Sequence, residues 1–538
     1  MKIWVIILLV LIGCGLPYPS FCEEKMNYTE VSDPQTLNPL NMSDMISFGF
    51  SSLLYNSLIG INIDMIPQPE LLESLEPEVS QDKKIYTFKL RKGVRWHDGR
   101  EVTAEDVKFT FDVISNPKTE TNIKRLGDIF QDINVLGSYT VQFILREPCP
   151  KEIVLSKLFF KIIPRHIFDK DFIRDDDEFG TSKVLGSGPY KFKAWQKGKN
   201  VELRWNENYF KGWPALSGNN KRIKKIDMLV IRDEVVAKTN LRQGWIHLIP
   251  VVRPVDYPEL RSDPYCKLLA YNSRGFAYFG YNHNHPFLKD VRVRQALTFA
   301  VDKKGMLQKI YGSEFVDKNQ IIDGPFPSGE GDPDIDPRPY DVAKAKELLS
   351  QAGFKDEDGD GILEKNGQKF VISLKTFVKD ESFRRICTMY QKHLRDIGIM
   401  LKNNEIEFME MNKWRKDVYN KDFDIVFGYW TFSEDTNIVE DLFSYAAIKP
   451  GGNNFVSYQN PQVEKLLRLN RTIYDPDARK KNKYELHRII HNDCPYTFLF
   501  TLPKYAGVRS SALKGVEIHP YNFFAFITDW YLVGSDDE

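Results

Sequence analysis

Between Ile85 and Ile114 a strand pattern and a helix pattern stand back to back, and this succession restricts the fold more than any other feature of the chain. Ile85-Tyr86-Thr87-Phe88-Lys89-Leu90 alternates as a half-buried strand, and Lys92-Gly93 and His97-Asp98-Gly99 supply turns. Thr103-Ala104-Glu105-Asp106 then caps a helix whose apolar face is Val107, Phe111 and Ile114, with Asp106 near its positive end. Helix signals return further on. Asp341 starts one carrying Val342, Ala345, Leu348, Leu349 and Ala352 on one side, with Gly353 placed to end it. Asn460-Pro461 starts another bearing Val463, Leu466 and Leu467. Interleaved strands and helices predict an α/β architecture with open sheets, and no repeat of solenoid period is found. A chain of 538 residues exceeds the roughly 250–300 residues at which single cores stop growing, so several lobes are expected.

Lys plus Arg and Asp plus Glu both number 74, so no bulk field draws the chain to nucleic acid or anionic lipid. A hydrophobic share of 42% and a charged share of 28% exclude wholesale disorder and a multi-span membrane protein. The aromatic share of 13% suits a large ligand cavity, as it also suits packed cores.

Met1-Lys2 followed by the apolar run Ile3 to Ile12 has the form of an export signal too short to span a bilayer, which predicts a signal segment over 1–22. Two processing sites compete. Leu11-Ile12-Gly13-Cys14 resembles a lipobox, cut at 13/14, whose Cys14 would carry the lipid anchor. Ser20-Phe21-Cys22 offers ordinary cleavage at 22/23. Cys149, Cys266, Cys387 and Cys494 are far apart, without a CxxC pair, so buried thiols or one or two disulfides are both open.

Spaced blocks along nearly the whole chain resemble bacterial solute-binding protein family 5, the extracytoplasmic peptide- and nickel-binding receptors of ABC importers. They are Ser32-Asp33-Pro34-Gln35-Thr36-Leu37-Asn38-Pro39, Tyr86 to Gly99, Thr103 to Val107, Gly186-Ser187-Gly188-Pro189-Tyr190, Asn206 to Phe210, and Pro286-Phe287 with Asp290 to Leu297 and Val301-Asp302. Tyr340 to Gly353, Asp356 to Glu364 and Asp493-Cys494-Pro495 match as well.

The resemblance implies the type II periplasmic-binding-protein fold (cluster C), with three lobes and a ligand cleft between two hinged ones. It places the first lobe at 23–55, 180–265 and 496–538, an inserted lobe at 56–179 and the opposing lobe at 266–495. Tyr271 to Asn282 and Asp493 to Leu502 would be the two crossings. Closure on a ligand would be the output, read by an ABC permease. A monomer without cofactor, nucleic acid or metal is implied.

By the same resemblance, peptide binders hold the ligand's amino terminus with an Asp after a Gly-Trp-type motif. Here Gly428-Tyr429-Trp430-Thr431-Phe432-Ser433-Glu434-Asp435 places Phe432 at that position, and a neutral ring cannot neutralise an ammonium group. Glu434 or Asp435 would serve if the loop is shifted by two or three residues, and a solvated loop charge is the alternative for either. Trp430 and Tyr278 correspond to aromatic positions lining the pocket in relatives, Met411 falls near another, and Asn41 and Ser43 sit in the early loop that reaches the ligand. Core packing is the alternative for the rings, and helix capping for the two polar residues.

Four motifs invite chemistry. Trp96-His97-Asp98 is read as a structural turn of the inserted lobe. His283 with His285, and His487 with His491, have pairwise spacing for a metal but no third ligand nearby in sequence. Asp356-Glu357-Asp358-Gly359-Asp360-Gly361 copies the start of a calcium loop. Its twelfth position is Gly367 rather than Glu, so a tight acidic turn is the favoured reading.

The expected function is therefore capture of an extended small solute, an oligopeptide first, with a nickel chelate, haem or oligosaccharide as alternatives. An exported hydrolase is the reading of another class, although GxSxG, HExxH and phosphate-loop motifs are absent. A surface adhesin or chaperone with a degenerate cleft is the third.

Overall fold

The computed structural model describes residues 24–42, 44–121, 126–168, 171–172, 174, 178–272, 275–313, 320–326, 330–377, 381–431, 438–520 and 522–533. The predicted strand and helices form where the local signals stand. Ile85–Lys89 buries Tyr86 and Phe88 and leaves Lys89 exposed. Helix Ala104–Ser115 begins at Thr103, whose backbone N–H donates to Asp106 Oδ2 at 2.9 Å. Asp341 and Asn460 cap Val342–Gln351 and Pro461–Asn470 through Lys344 N (2.8 Å) and Gln462 N (2.8 Å).

Three larger sheets carry the architecture. The first has seven strands in the order Cys266–Asn272, Pro503–Arg509, Leu248–Ile249, Lys25–Glu30, Lys225–Val230, Asn200–Trp205 and Tyr190–Gln196. Lys25–Glu30 runs parallel to both of its neighbours. The second has five strands: Glu407–Met409, Leu374–Phe377, Ile425–Thr431, Gly275–Tyr281 and Tyr496–Phe498. The third is an antiparallel sheet of four strands between Glu78 and Leu145.

All seven residues of Gly275–Tyr281 are buried, as expected of a strand covered on both faces. The two-residue period divides them. Ala277, Phe279 and Tyr281 join the core cluster that contains Tyr390 and Phe427, while Phe276 and Tyr278 join the one that contains Phe455 and Tyr496.

The chain crosses between the first and second sheets twice. It leaves Cys266–Asn272 for Gly275–Tyr281, and returns from Tyr496–Phe498 to Pro503–Arg509. Cys266–Asn272 and Pro503–Arg509 pair over their full length, from Cys266 opposite Arg509 to Asn272 opposite Pro503, so the crossings lie side by side.

The third sheet is riveted to the first through buried polar contacts. His97 Nδ1 accepts from Gly186 N at 3.2 Å, so Nε2 carries the proton and donates to the Gly188 carbonyl at 3.0 Å. Burial pushes the His97 imidazole down to about 4. Gly186 and Gly188 press on the end of helix Met45–Leu54: a Cβ on Gly186 would lie 1.8 Å from the Leu54 carbonyl oxygen. Beside them Glu70 accepts from Asn56 Nδ2 (2.9 Å) and Ser57 N (2.9 Å) and pairs with Lys211 at 3.0 Å. Burial alone would raise the Glu70 carboxyl, but Lys211, Lys161 and these hydrogen bonds reverse that and bring it to about 2. Trp96 is buried and Asp98 pairs with His166 at 2.7 Å, so the Trp96-His97-Asp98 turn is committed to structure.

Candidate functional site

In an open α/β sheet, ligands gather at the carboxyl ends of the parallel strands. Here the central strand of the parallel trio ends at Glu30. Its carboxyl is pushed up to about 8, first by burial, then by the nearby Asp44 carboxylate, against the opposing pull of Lys504. Burial and the Glu30 charge also raise the hydroxyls of Tyr28 and Tyr271. An aromatic wall stands beside them: Tyr271 meets Phe523 edge-on at 5.5 Å, Phe523 meets Phe524 at 4.9 Å, and Phe524 meets Tyr28 at 5.1 Å. Next to the two carboxylates in sequence, Val31, Met45 and Phe48 are 51%, 54% and 42% exposed, a concentration of apolar surface at one strand end.

The second sheet brings Tyr429 to this region, with Trp430 next to it in sequence on the other face of the strand. Tyr429 lies close enough to Tyr271 to influence its hydroxyl, although the two belong to different sheets. Trp430 lies opposite Phe276 on the other face of its strand. It stacks parallel to Tyr278 at 6.1 Å and to Phe455 at 5.8 Å, and Tyr278 stacks in turn on Tyr496 at 4.5 Å. Gly428 makes this possible, because Tyr278 faces it across the strand pair and occupies the place of a side chain.

The residues singled out from the sequence are distributed unevenly. Trp430 is half-buried at the end of its strand, whereas Tyr278 is only 1% exposed and sits inside the opposing core behind it. Met411 is exposed and opens helix Met411–Tyr419, beyond the edge strand Glu407–Met409. Leu374–Phe377 separates that edge strand from Ile425–Thr431. Asn41 is half-buried in the turn after Asn38, to whose carbonyl its N–H donates at 3.2 Å. Ser43, Phe432, Glu434, Asp435, Cys14 and the signal segment lie outside the described residues.

The remaining candidates for chemistry are occupied structurally. His487 Nδ1 accepts from Asp332 N at 2.9 Å, His491 Nδ1 faces Asp323 at 2.9 Å, and His285 Nδ1 accepts from Phe287 N at 3.2 Å. His283 packs edge-on against Tyr458. The four described cysteines are buried free thiols. Among the described residues no helix is long and apolar enough to cross a membrane.

Glu30, Tyr271, Tyr429 and Lys504 escaped the sequence reading. The signals available were the Gly428-Tyr429-Trp430 motif for Tyr429 and, for Glu30, a charge two residues before the Ser32-Asp33-Pro34 block.

Residues 67–448 match the family described as bacterial extracellular solute-binding proteins, family 5 (middle region). The chain belongs to this family. It is 30% identical over 505 residues to the oligopeptide-binding protein AppA of Bacillus subtilis, covering 93% of this chain and 90% of that protein. With the dipeptide-binding protein of Escherichia coli it shares 27% identity over 519 residues, 92% of each chain. Its fold is that of family 5 binding proteins. The structure of Bacillus subtilis AppA in complex with a nonapeptide superposes with a TM-score of 0.76 at 28% identity, covering 94% of this chain and 98% of that one. The Listeria monocytogenes substrate-binding protein CtaP superposes with a TM-score of 0.81 at 23% identity, covering 95% and 99%. Members of this family are extracytoplasmic solute receptors.

Proposed function

We propose that this family 5 receptor captures an oligopeptide between its first and second sheets and presents it to an ABC permease. The observation that carries the reading is the full-length similarity to an oligopeptide-binding protein, supported by a structural relative that holds a nonapeptide. The lobes follow the expected 23–55 with 180–265 and 496–538, 56–179, and 266–495, except that sheet membership moves strand Cys266–Asn272 to the first lobe and strand Tyr496–Phe498 to the opposing one. The paired crossings support a hinge between the first and the last of these. An exported chain, processed after residue 13 with a lipid on Cys14 or after residue 22, fits the same reading.

Glu30 gives the reading a chemical focus. A carboxyl held neutral by burial becomes a good anion as soon as a ligand ammonium or guanidinium replaces its lost hydration. Trp430 offers a flat face for ligand side chains and Tyr278 backs it. Binding energy then goes into closure, because only the closed form touches ligand from both sides.

Native mass spectrometry of the purified chain, followed by incubation with a random nonapeptide pool, tests the proposal. Stoichiometric retention of intact peptides is expected, and Trp430→Ala weakens retention by more than ten-fold. Steady cleavage of the pool, or retention of a metal chelate in preference to every peptide, overturns it.

A further inference from the structure

The loop after helix Val342–Gln351 gathers carboxylates that the sequence spacing did not bring together. Asp356, Asp358 and Glu364 each offer an oxygen within 4.8 Å of the others, the one such His/Cys/Asp/Glu group among the described residues. Counting from Asp356, Glu364 is the ninth position. The short antiparallel bridge between Lys355 and Glu364 folds it back under the loop: Lys355 N donates to the Glu364 carbonyl at 3.0 Å and Glu364 N returns to Lys355 at 2.6 Å. The anchoring acid is therefore supplied three residues earlier than the twelfth-position rule demands.

Glu364 is the independent sign of a ligand. Its side chain is 6% exposed. One oxygen, Oε2, accepts from Glu357 N at 2.8 Å, but Oε1 accepts no hydrogen bond. A buried carboxylate oxygen without a hydrogen bond is costly, and such groups are found beside cations. The cation at hand is the Lys369 ammonium, 3.7 Å from Oε1, 2.8 Å from Asp358 and in contact with Asp360. Lys369 is 39% exposed and reaches these carboxylates from the solvent side on a long stem, so an ion would compete with it for them.

We infer that this loop is a divalent-cation site suited to calcium, held by Asp356, Asp358, Asp360 and Glu364, with Lys369 filling the place of the ion when it is absent. Calcium fits better than magnesium because it takes six to eight oxygens in flexible geometry, whereas magnesium demands a near-ideal octahedron. Carboxylates at the first, third, fifth and ninth positions, with glycine at the sixth (Gly361, φ +85), follow the order of a calcium loop. Without the twelfth-position bidentate Glu, affinity falls in the class of extracellular modules, on the order of 10⁻⁴–10⁻³ M.

Calorimetric titration of the metal-stripped full chain with calcium chloride tests this, with thermal unfolding followed alongside. Wild-type chain is expected to bind one ion and to unfold about 1–3 °C higher in saturating calcium than in equal ionic strength of potassium chloride. Asp358→Asn and Glu364→Gln each weaken binding at least ten-fold, and Lys369→Met strengthens it by removing the competing charge. If Glu364→Gln fails to fold, the more exposed Asp358→Asn decides. No binding heat and no thermal shift at about 10 mM calcium, or an affinity untouched by Asp358→Asn, overturns the inference.

Discussion

Tyr278 faces Gly428 across adjacent antiparallel strands, and its hydroxyl lies 2.6 Å from the position a Gly428 Cβ would take. The ring is fixed in turn by its stacks on Trp430 and Tyr496. Gly428→Ala therefore forces the whole stack to move, at a cost of about 1–3 kcal/mol for overpacking. Denaturant unfolding measures the loss, and near-ultraviolet circular dichroism reports the displaced Trp430. Unchanged values in both would mean that the ring moves aside freely.

Gly186→Ala is expected to be worse. There the obstacle is backbone, the Leu54 carbonyl at 1.8 Å, and the same glycine's N–H is the donor to His97. A loss at or above about 3 kcal/mol follows from clash and broken hydrogen bond together. Limited proteolysis should find the joint between the first and third sheets opened, and wild-type resistance at that joint would contradict the packing described.

The same joint gives the chain an acid response. The folded His97 imidazole titrates near 4, below the ordinary 6.5, so its contribution is complete above pH 6.5 and fades as pH falls toward 4. Glu70, brought down to about 2, acts in a lower window: its contribution is complete above the ordinary 4.5 and fades as pH falls toward 2. His97→Gln should be about 1 kcal/mol less stable than wild type at pH 7, and that gap should close or reverse by pH 5, since the wild type loses about 2 kcal/mol over that interval. Melting curves across pH 4 to 7 provide the measurement, and a gap constant with pH would reject the assignment.

Glu30 works in the opposite direction. Its carboxyl titrates near 8 in the folded chain against 4.5 ordinarily, so the folded state keeps a proton that the unfolded state has released. Stability from this group is complete below pH 4.5 and declines as pH rises toward 8. Glu30→Gln mimics the protonated form and should match wild type near pH 4.5 but exceed it by at least about 1 kcal/mol at pH 8, in ligand-free protein. Equal stability at both pH values would show that the carboxylate is well solvated.

The helices were legible because their start signals are local. Thr103, Asp341 and Asn460 each cap within three residues of themselves, and no distant contact is needed to read them. Strand order was not legible by periodicity alone. The pairing of Lys25 with Lys225, or of Cys266 with Arg509, joins segments that carry no mutual signal, and only the spaced family blocks anticipated the two crossings. The site divides in the same way. Trp430 stood out as an aromatic in a recognisable motif, whereas Glu30 was an ordinary charge until burial and Asp44 changed its chemistry. Glu364 was overlooked because a fixed count to the twelfth position says nothing about a bridge that doubles the chain back at the ninth.

Two neighbouring strands that leave one sheet for the other at adjacent points act as a pair of pins. A body pinned twice retains rotation about the line through the pins and loses the others, so the halves can part along a single arc. On the proposed reading such an arc opens a single mouth, so capture and unloading would use the same side.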